Sequence, residues 1–196
     1  MAADGTPTGT GSGDFVVIDL YATTNASSLK LLNVFDVQAS LARGAFVHND
    51  VTESGRWEAL YTNDGLGATG AIDSFVTMGP AVDGDPYLAL LDPNFDGSEA
   101  GSMSSNAGWY NPDPLNDQGL VSDVARIFLA RFVIAEADVA GNAFTLSGSL
   151  GWKLDTPGSI VQQSSGVVST SFAGEVVPGP VAASVLGALE IGRAHV

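Results

Sequence analysis

Asp92-Pro93-Asn94-Phe95-Asp96-Gly97 sets three oxygen-bearing side chains at alternate positions ahead of a glycine. Carboxylate and amide oxygens spaced in this way can converge on one hard cation, and the glycine permits the sharp turn a calcium loop requires. Extended to twelve residues, the pattern meets Met103 where a closing carboxylate belongs, so Glu99 or the upstream Asp83 and Asp85 would have to complete the shell. An acidic turn held by Asx-type hydrogen bonds explains the same residues without a metal. Calcium on Asp92, Asn94 and Asp96 is the one cofactor the sequence raises.

Trp57, Trp109 and Tyr110, together with Tyr61, lie in segments rich in turn-forming residues. Exposed rings of this kind stack on the apolar faces of sugars, which makes Trp109, Tyr110 and Trp57 candidate ligand-binding residues. Buried, the same rings would plug the ends of a sheet fold, and both readings stand. Catalytic chemistry has less to draw on. His48, within Phe46-Val47-His48-Asn49-Asp50, could hydrogen-bond a carboxylate, but no Gly-x-Ser-x-Gly elbow accompanies it. Glu53, Glu58 and Asp73 could form a glycosidase pair, yet their separation cannot be read from sequence. No catalytic residue is assigned and no enzyme is expected.

The elements that must position these residues read as strands. Phe15-Val16-Val17-Ile18-Asp19-Leu20-Tyr21 is β-branched and aromatic, and a partly alternating segment follows from Leu32 to Leu41. Ala45-Phe46-Val47 and Ile72 to Met78 are shorter candidates. Phe144, Leu146, Gly148, Leu150 and Trp152 occupy every second place among Thr145, Ser147, Ser149 and Lys153, the two-residue period of a half-buried strand. Val124 to Ile134 carries enough β-branched and aromatic residues to read as its partner, with Ala140-Gly141-Asn142 as the hairpin turn. Val168, Thr170 and Phe172 supply a last strand, and residues 92–121 read as a long loop. The expected fold is therefore all-β: an antiparallel β-sandwich, immunoglobulin- or cohesin-like, with long loops. It spans residues 14–174 behind a flexible Gly-, Thr- and Ser-rich lead-in over residues 1–13.

Composition narrows the partners. The 196 residues hold 22 Asp and Glu against 7 Lys and Arg, a formal charge of −15. Such a surface repels phosphate backbones, so no nucleic-acid partner is expected. The absence of cysteine removes disulfides, thiolate nucleophiles and zinc–thiolate sites together. Met1-Ala2-Ala3-Asp4 carries no basic and apolar run of the kind that opens a signal peptide.

After the last expected strand the chain reads Glu175-Val176-Val177-Pro178-Gly179-Pro180, then an apolar run from Val181 to Leu189. This resembles the opening of a PEP-CTERM protein-sorting signal, also known as the ice-binding protein C-terminal segment. There a Pro-Glu-Pro motif leads into one transmembrane helix and a basic cluster. Val177, Pro178 and Pro180 match, whereas Gly179 stands where that family usually has Glu. The resemblance makes residues 175–189 a sorting segment with a short apolar, helix-prone run. It implies export, transient inner-membrane anchoring, handling by sorting and processing machinery, and delivery to the cell envelope or extracellular matrix. A protein or polysaccharide of that matrix would be the partner. The upstream domain also resembles uncharacterised secreted, cohesin-like β-proteins through Ile72 to Thr77 and Leu129-Ala130-Arg131-Phe132.

Nine apolar residues are fewer than the roughly twenty a membrane span needs. Ile191-Gly192-Arg193-Ala194-His195-Val196 resembles the translation of a common short-read sequencing adapter, whose next in-frame triplet is a stop. Residues 190–196 are accordingly expected to be adapter-encoded, replacing the remainder of the sorting helix. The functional expectation is an exported, non-enzymatic surface or matrix protein with a binding or structural sandwich. A carbohydrate-binding module is the alternative, and behind it a polysaccharide-active enzyme.

Overall fold

The computed structural model describes residues 15–24, 28–47, 57, 74–79, 89–92, 103, 106–113, 115, 117–121, 126–171 and 187–190. The described strands are β1 (Phe15–Thr23), β2 (Leu29–Leu41), β3 (Phe75–Val76), β4 (Leu90–Leu91), β5 (Ala107–Tyr110), β6 (Arg126–Ala135), β7 (Ala143–Leu154), β8 (Gln162–Ser171) and β9 (Gly187–Glu190). They form a four-stranded sheet, in the order β3-β6-β1-β9, and a five-stranded sheet, in the order β4-β5-β2-β7-β8. Every pairing is antiparallel except that of β1 with β9. The fold is an all-β sandwich. Among the described residues no helix is long and apolar enough to cross a membrane.

Alternation builds the core. Ile18, Leu20 and Ala22 of β1 and Ile127, Leu129, Phe132 and Ile134 of β6 point inward from one sheet. Val34 and Val37 of β2 and Phe144, Leu146, Leu150 and Trp152 of β7 meet them from the other. Burying side chains of this size contributes about 1.5–3 kcal/mol each, the main term set against chain entropy. Phe132 sits at the centre, its ring 5.1 Å from that of Phe46, 5.2 Å from Phe144 and 6.1 Å from Trp57.

The outward side of the four-stranded sheet is closed off by its own side chains. Arg131 donates to both carboxylate oxygens of Asp19, directly opposite on β1, at 2.7 and 2.9 Å. Tyr21, Phe128 and Phe75 form a separate ring cluster beside them, with Arg126 stacked 4.8 Å above Tyr21. Hydrogen bonding to Asp19, reinforced by its charge, holds the Arg131 pKa above the ordinary guanidinium value despite burial. A base whose pKa is raised on folding contributes stability that is lost only as pH climbs through that raised value, far above neutrality. The arginine therefore stays charged throughout pH 5–9, and Asp19→Ala strands a charge that is only one-quarter exposed. We expect that substitution to cost about 2 kcal/mol, read as a lowered urea midpoint at unchanged slope.

Several expected elements differ. The strands anticipated over 124–134 and 144–152 exist but do not pair with each other; they lie in opposite sheets. Both edges of β6 are taken by β1 and β3, and both edges of β7 by β2 and β8, so no edge remains for a hairpin. A 3-10 turn over Glu136–Asp138 carries the chain across the core instead. Asn142 anchors that crossing by donating to the carbonyls of Arg43 and Asp138 and accepting from the Arg43 N–H. Ala45-Phe46-Val47 contributes a single bridge, Phe46 to Ile134, and not a strand. The stretch read as one loop over 92–121 contains β5. The last strand starts at Gln162, well before the anticipated Val168. Gly187–Glu190, the last three residues of the run expected to be helix-prone and the first residue beyond it, form β9 against β1. Pairing with the open edge of β1 satisfies backbone groups that so short an apolar run could not satisfy as a helix.

Candidate functional site

The outward side of the five-stranded sheet is built from the polar half of each alternating strand. One lateral row runs Leu90, Tyr110, Asn33, Gly151 and Gln163 across β4, β5, β2, β7 and β8. The next carries Phe35, Ser149 and Ser165, and the one beyond it Gln38, Ser147 and Val167. Directly opposed residues share a face of the sheet, so these side chains form one surface. Ser149 and Ser165 share a hydrogen bond between their hydroxyls at 2.7 Å. Relief is low along the middle of β7 and β8, where Ser147, Ser149 and Ser165 are small and Gly151 has no side chain. Asn33 lies across that glycine, and its Oδ1 is buried against it without a hydrogen-bond partner among the described residues. Tyr110 and Leu90 stand at one side, 39% and 36% exposed.

Charge is nearly absent from the β7–β8 side of this face, whereas Asp92, over Gly108 of β5, and Lys30, opposite Lys153, bring charge to the rest. Residues 139–174, which include β7 and β8, contain Lys153 and Asp155 as their sole charged side chains, although the chain holds 22 acidic residues. An uncharged strip on so acidic a molecule loses little hydration when covered, because burying unpaired charge is the costly step.

The structure separates the aromatic residues singled out from sequence. Trp109 is 1% exposed, and its indole N–H donates to the Thr77 carbonyl at 2.9 Å. Trp57 is fully buried, edge-on to Phe46 at 5.9 Å. Neither ring presents a face to a ligand, so the expectation of open stacking rings is corrected for both: they fill the core. Tyr110 alone of the three faces outward. Adjacent residues of a strand point to opposite faces, so β5 turns Trp109 inward and Tyr110 outward, a division hidden in a sequence that reads as loop there.

Of the candidate calcium residues, Asp92 directly follows β4. Its N–H donates to the Gly108 carbonyl at 2.9 Å, and its carboxylate lies over Gly108. Asn94 and Asp96 fall outside the described residues, as do Asp83, Asp85 and Glu99. The same holds for Tyr61, His48, Glu53, Glu58, Asp73 and the sorting motif Val177, Pro178, Gly179 and Pro180. Among the described residues, no three His, Cys, Asp or Glu side chains gather as metal ligands would. Sequence reasoning missed Asn33, Phe35, Gln163, Ser165 and Val167, because a surface of small polar residues carries no chemical motif.

Fold and face together define an all-β sandwich: among the described residues its four-stranded sheet carries the ring cluster and ion pair on its outward side, and its five-stranded sheet presents exposed side chains along β8. No protein-family model matches the chain, and neither the curated proteins nor the solved structures provide a match.

Proposed function

We propose that this chain is an exported bacterial surface or matrix protein, non-enzymatic, sorted by a PEP-CTERM-type tail. It works by protein contact through the open face of its five-stranded sheet, in the manner of cohesin-like sandwiches. The observation that carries this reading is the uncharged, low-relief surface of Ser147, Ser149, Ser165 and Gln163 flanked by Tyr110 and Leu90. Protein interfaces concentrate tyrosine and deplete charge at their centres, and flat sheet faces suit broad contacts better than small-molecule capture. The resemblance of residues 175–189 to a sorting signal supports the destination.

A second reading rests on Tyr110 itself. Its exposed ring, opposite Asn33 on the neighbouring strand, offers a stacking platform for a neutral polysaccharide. One experiment separates the two. The purified chain is titrated onto envelope and matrix material from cells that produce it, after protease treatment or after periodate oxidation. Protein contact predicts that protease abolishes binding and that Ser149→Arg weakens it about tenfold or more at unchanged melting temperature. Binding that survives protease, fails after periodate and is lost in Tyr110→Ala establishes sugar recognition in its place. Recovery of the chain wholly inside the cell would overturn the proposed destination.

A further inference from the structure

We infer that β8 is the edge through which two copies of this chain pair, joining their five-stranded sheets into one. The inference does not depend on the partner proposed above. β8 is ten residues long, Gln162–Ser171, with no charged residue and no proline. Among the described residues it is paired on one side only, with β7. β9 lies beside it across the seam between the sheets but shares its ladder with β1. Natural sheets protect long edges with lysine, proline, bulges or shortness, because a free row of N–H and C=O groups recruits another strand. The opposite edge of the same sheet has such protection: β4 is two residues long. β8 has none.

The occupant follows from charge. A copy of a chain carrying −15 is repelled wherever acidic surface meets acidic surface, and the repulsion extends over about 8–10 Å at ordinary ionic strength. The β7–β8 region is where two copies can approach without that opposition, because Asp155 is its one acid and Lys153 sits two residues away. Apolar surface is displayed there too: Val167 is 70% exposed, Ile160 73%, Val161 57% and Leu154 40%. Antiparallel pairing of β8 with its copy is self-complementary under a two-fold axis. Each copy uses the same edge, and the short β4 edges at the two ends cannot propagate the sheet, so assembly stops at two. The outward row Val161, Gln163, Ser165 and Val167 would meet its equivalent side by side and double the open face.

Sedimentation of the full chain from about 1 to about 500 μM, the range in which a modest edge contact operates, tests this. The mass is expected to rise from 20.0 kDa towards twice that value, and added salt should raise the dimer fraction by screening the repulsion. Ser165→Lys should hold the chain at its monomer mass with an unchanged melting temperature, because Ser165 is an exposed side chain. The absence of native cysteine allows a clean complement: cysteine placed singly at Gln163, Ser165 or Val167 should give an oxidised dimer from at least one position. A monomer throughout the concentration range overturns the inference. So does a dimer indifferent to Ser165→Lys that none of the three cysteines cross-links. Neither result bears on whether a matrix partner binds the face.

Discussion

Trp109→Ala should destabilise the chain by about 3–5 kcal/mol, the loss measured when a large aromatic is cut from a packed core. Against a typical stability of about 5–15 kcal/mol, that is a large fraction of the whole. Two contributions combine. The ring is 1% exposed, so its removal leaves a cavity that the surrounding strands can only partly collapse into. The indole N–H also ties the sheets together, since Trp109 belongs to β5 and its acceptor Thr77 donates its own N–H to Leu129 of β6 at 2.9 Å. The neighbouring Tyr110→Ala provides the contrast: its side chain faces outward and should cost less than about 1 kcal/mol. Chemical denaturation of the two variants decides between a ring that packs and a ring that recognises. Were Trp109→Ala to keep the wild-type midpoint while losing a ligand, the core role argued here would fail.

That pair of residues also shows how far the sequence was legible. Strand existence could be read wherever one face is apolar and the other polar, as in β7, where Phe144 to Trp152 alternate without a break. It could be read in β1 and β6 from β-branched content alone. Pairing could not be read. The short turn around Gly141 suggested a hairpin, but which strands share a ladder depends on which edges are already occupied, and those partners come from distant parts of the chain. Only the end of β8 is legible, through Val168, Thr170 and Phe172, because Gln162 to Gly166 lack an apolar stripe; its place is fixed by the ladder with β7 and not by burial. β4 and β5 are too short to show a period. The ion pair between Asp19 and Arg131 joins residues 112 positions apart, a register fact that nothing local encodes.

Charge segregation, by contrast, was present in the sequence throughout and gains its meaning from the fold. The acid-poor stretch over 139–174 is unremarkable as a string. Folded, it supplies two adjacent strands at one edge of the open sheet, so composition along the chain becomes composition of a surface. Acidic residues elsewhere in the chain oppose the approach of a second copy, and this uncharged region is where the proposed contacts meet the least opposition. Its exposed side chains can be exchanged with little effect on the core, so the proposed contacts can be tested there without loss of stability.

Stability at the far end of β2 depends instead on a backbone approach that only glycine allows. Gly119 has φ of 78°, a conformation that disfavours a β-carbon, and a β-carbon there would collide with the Leu31 carbonyl oxygen. The contact cannot be relieved by turning a side chain, because the obstacle is main chain. Moving the loop away would sacrifice the bonds that seat it: Leu31 N–H to the Gly119 carbonyl and Val121 N–H to the Leu29 carbonyl, both 2.8 Å. Gly141 has a similar φ of 68° but open space where a β-carbon would go. Gly141→Ala should therefore cost only the conformational term, about 1 kcal/mol. Gly119→Ala should cost about 3 kcal/mol or more, adding the clash and the lost bonds to that same term. Thermal unfolding of the two variants in parallel isolates the steric part, since the backbone penalty is common to both. Equal losses would mean that the loop yields freely and that its seat on β2 contributes little.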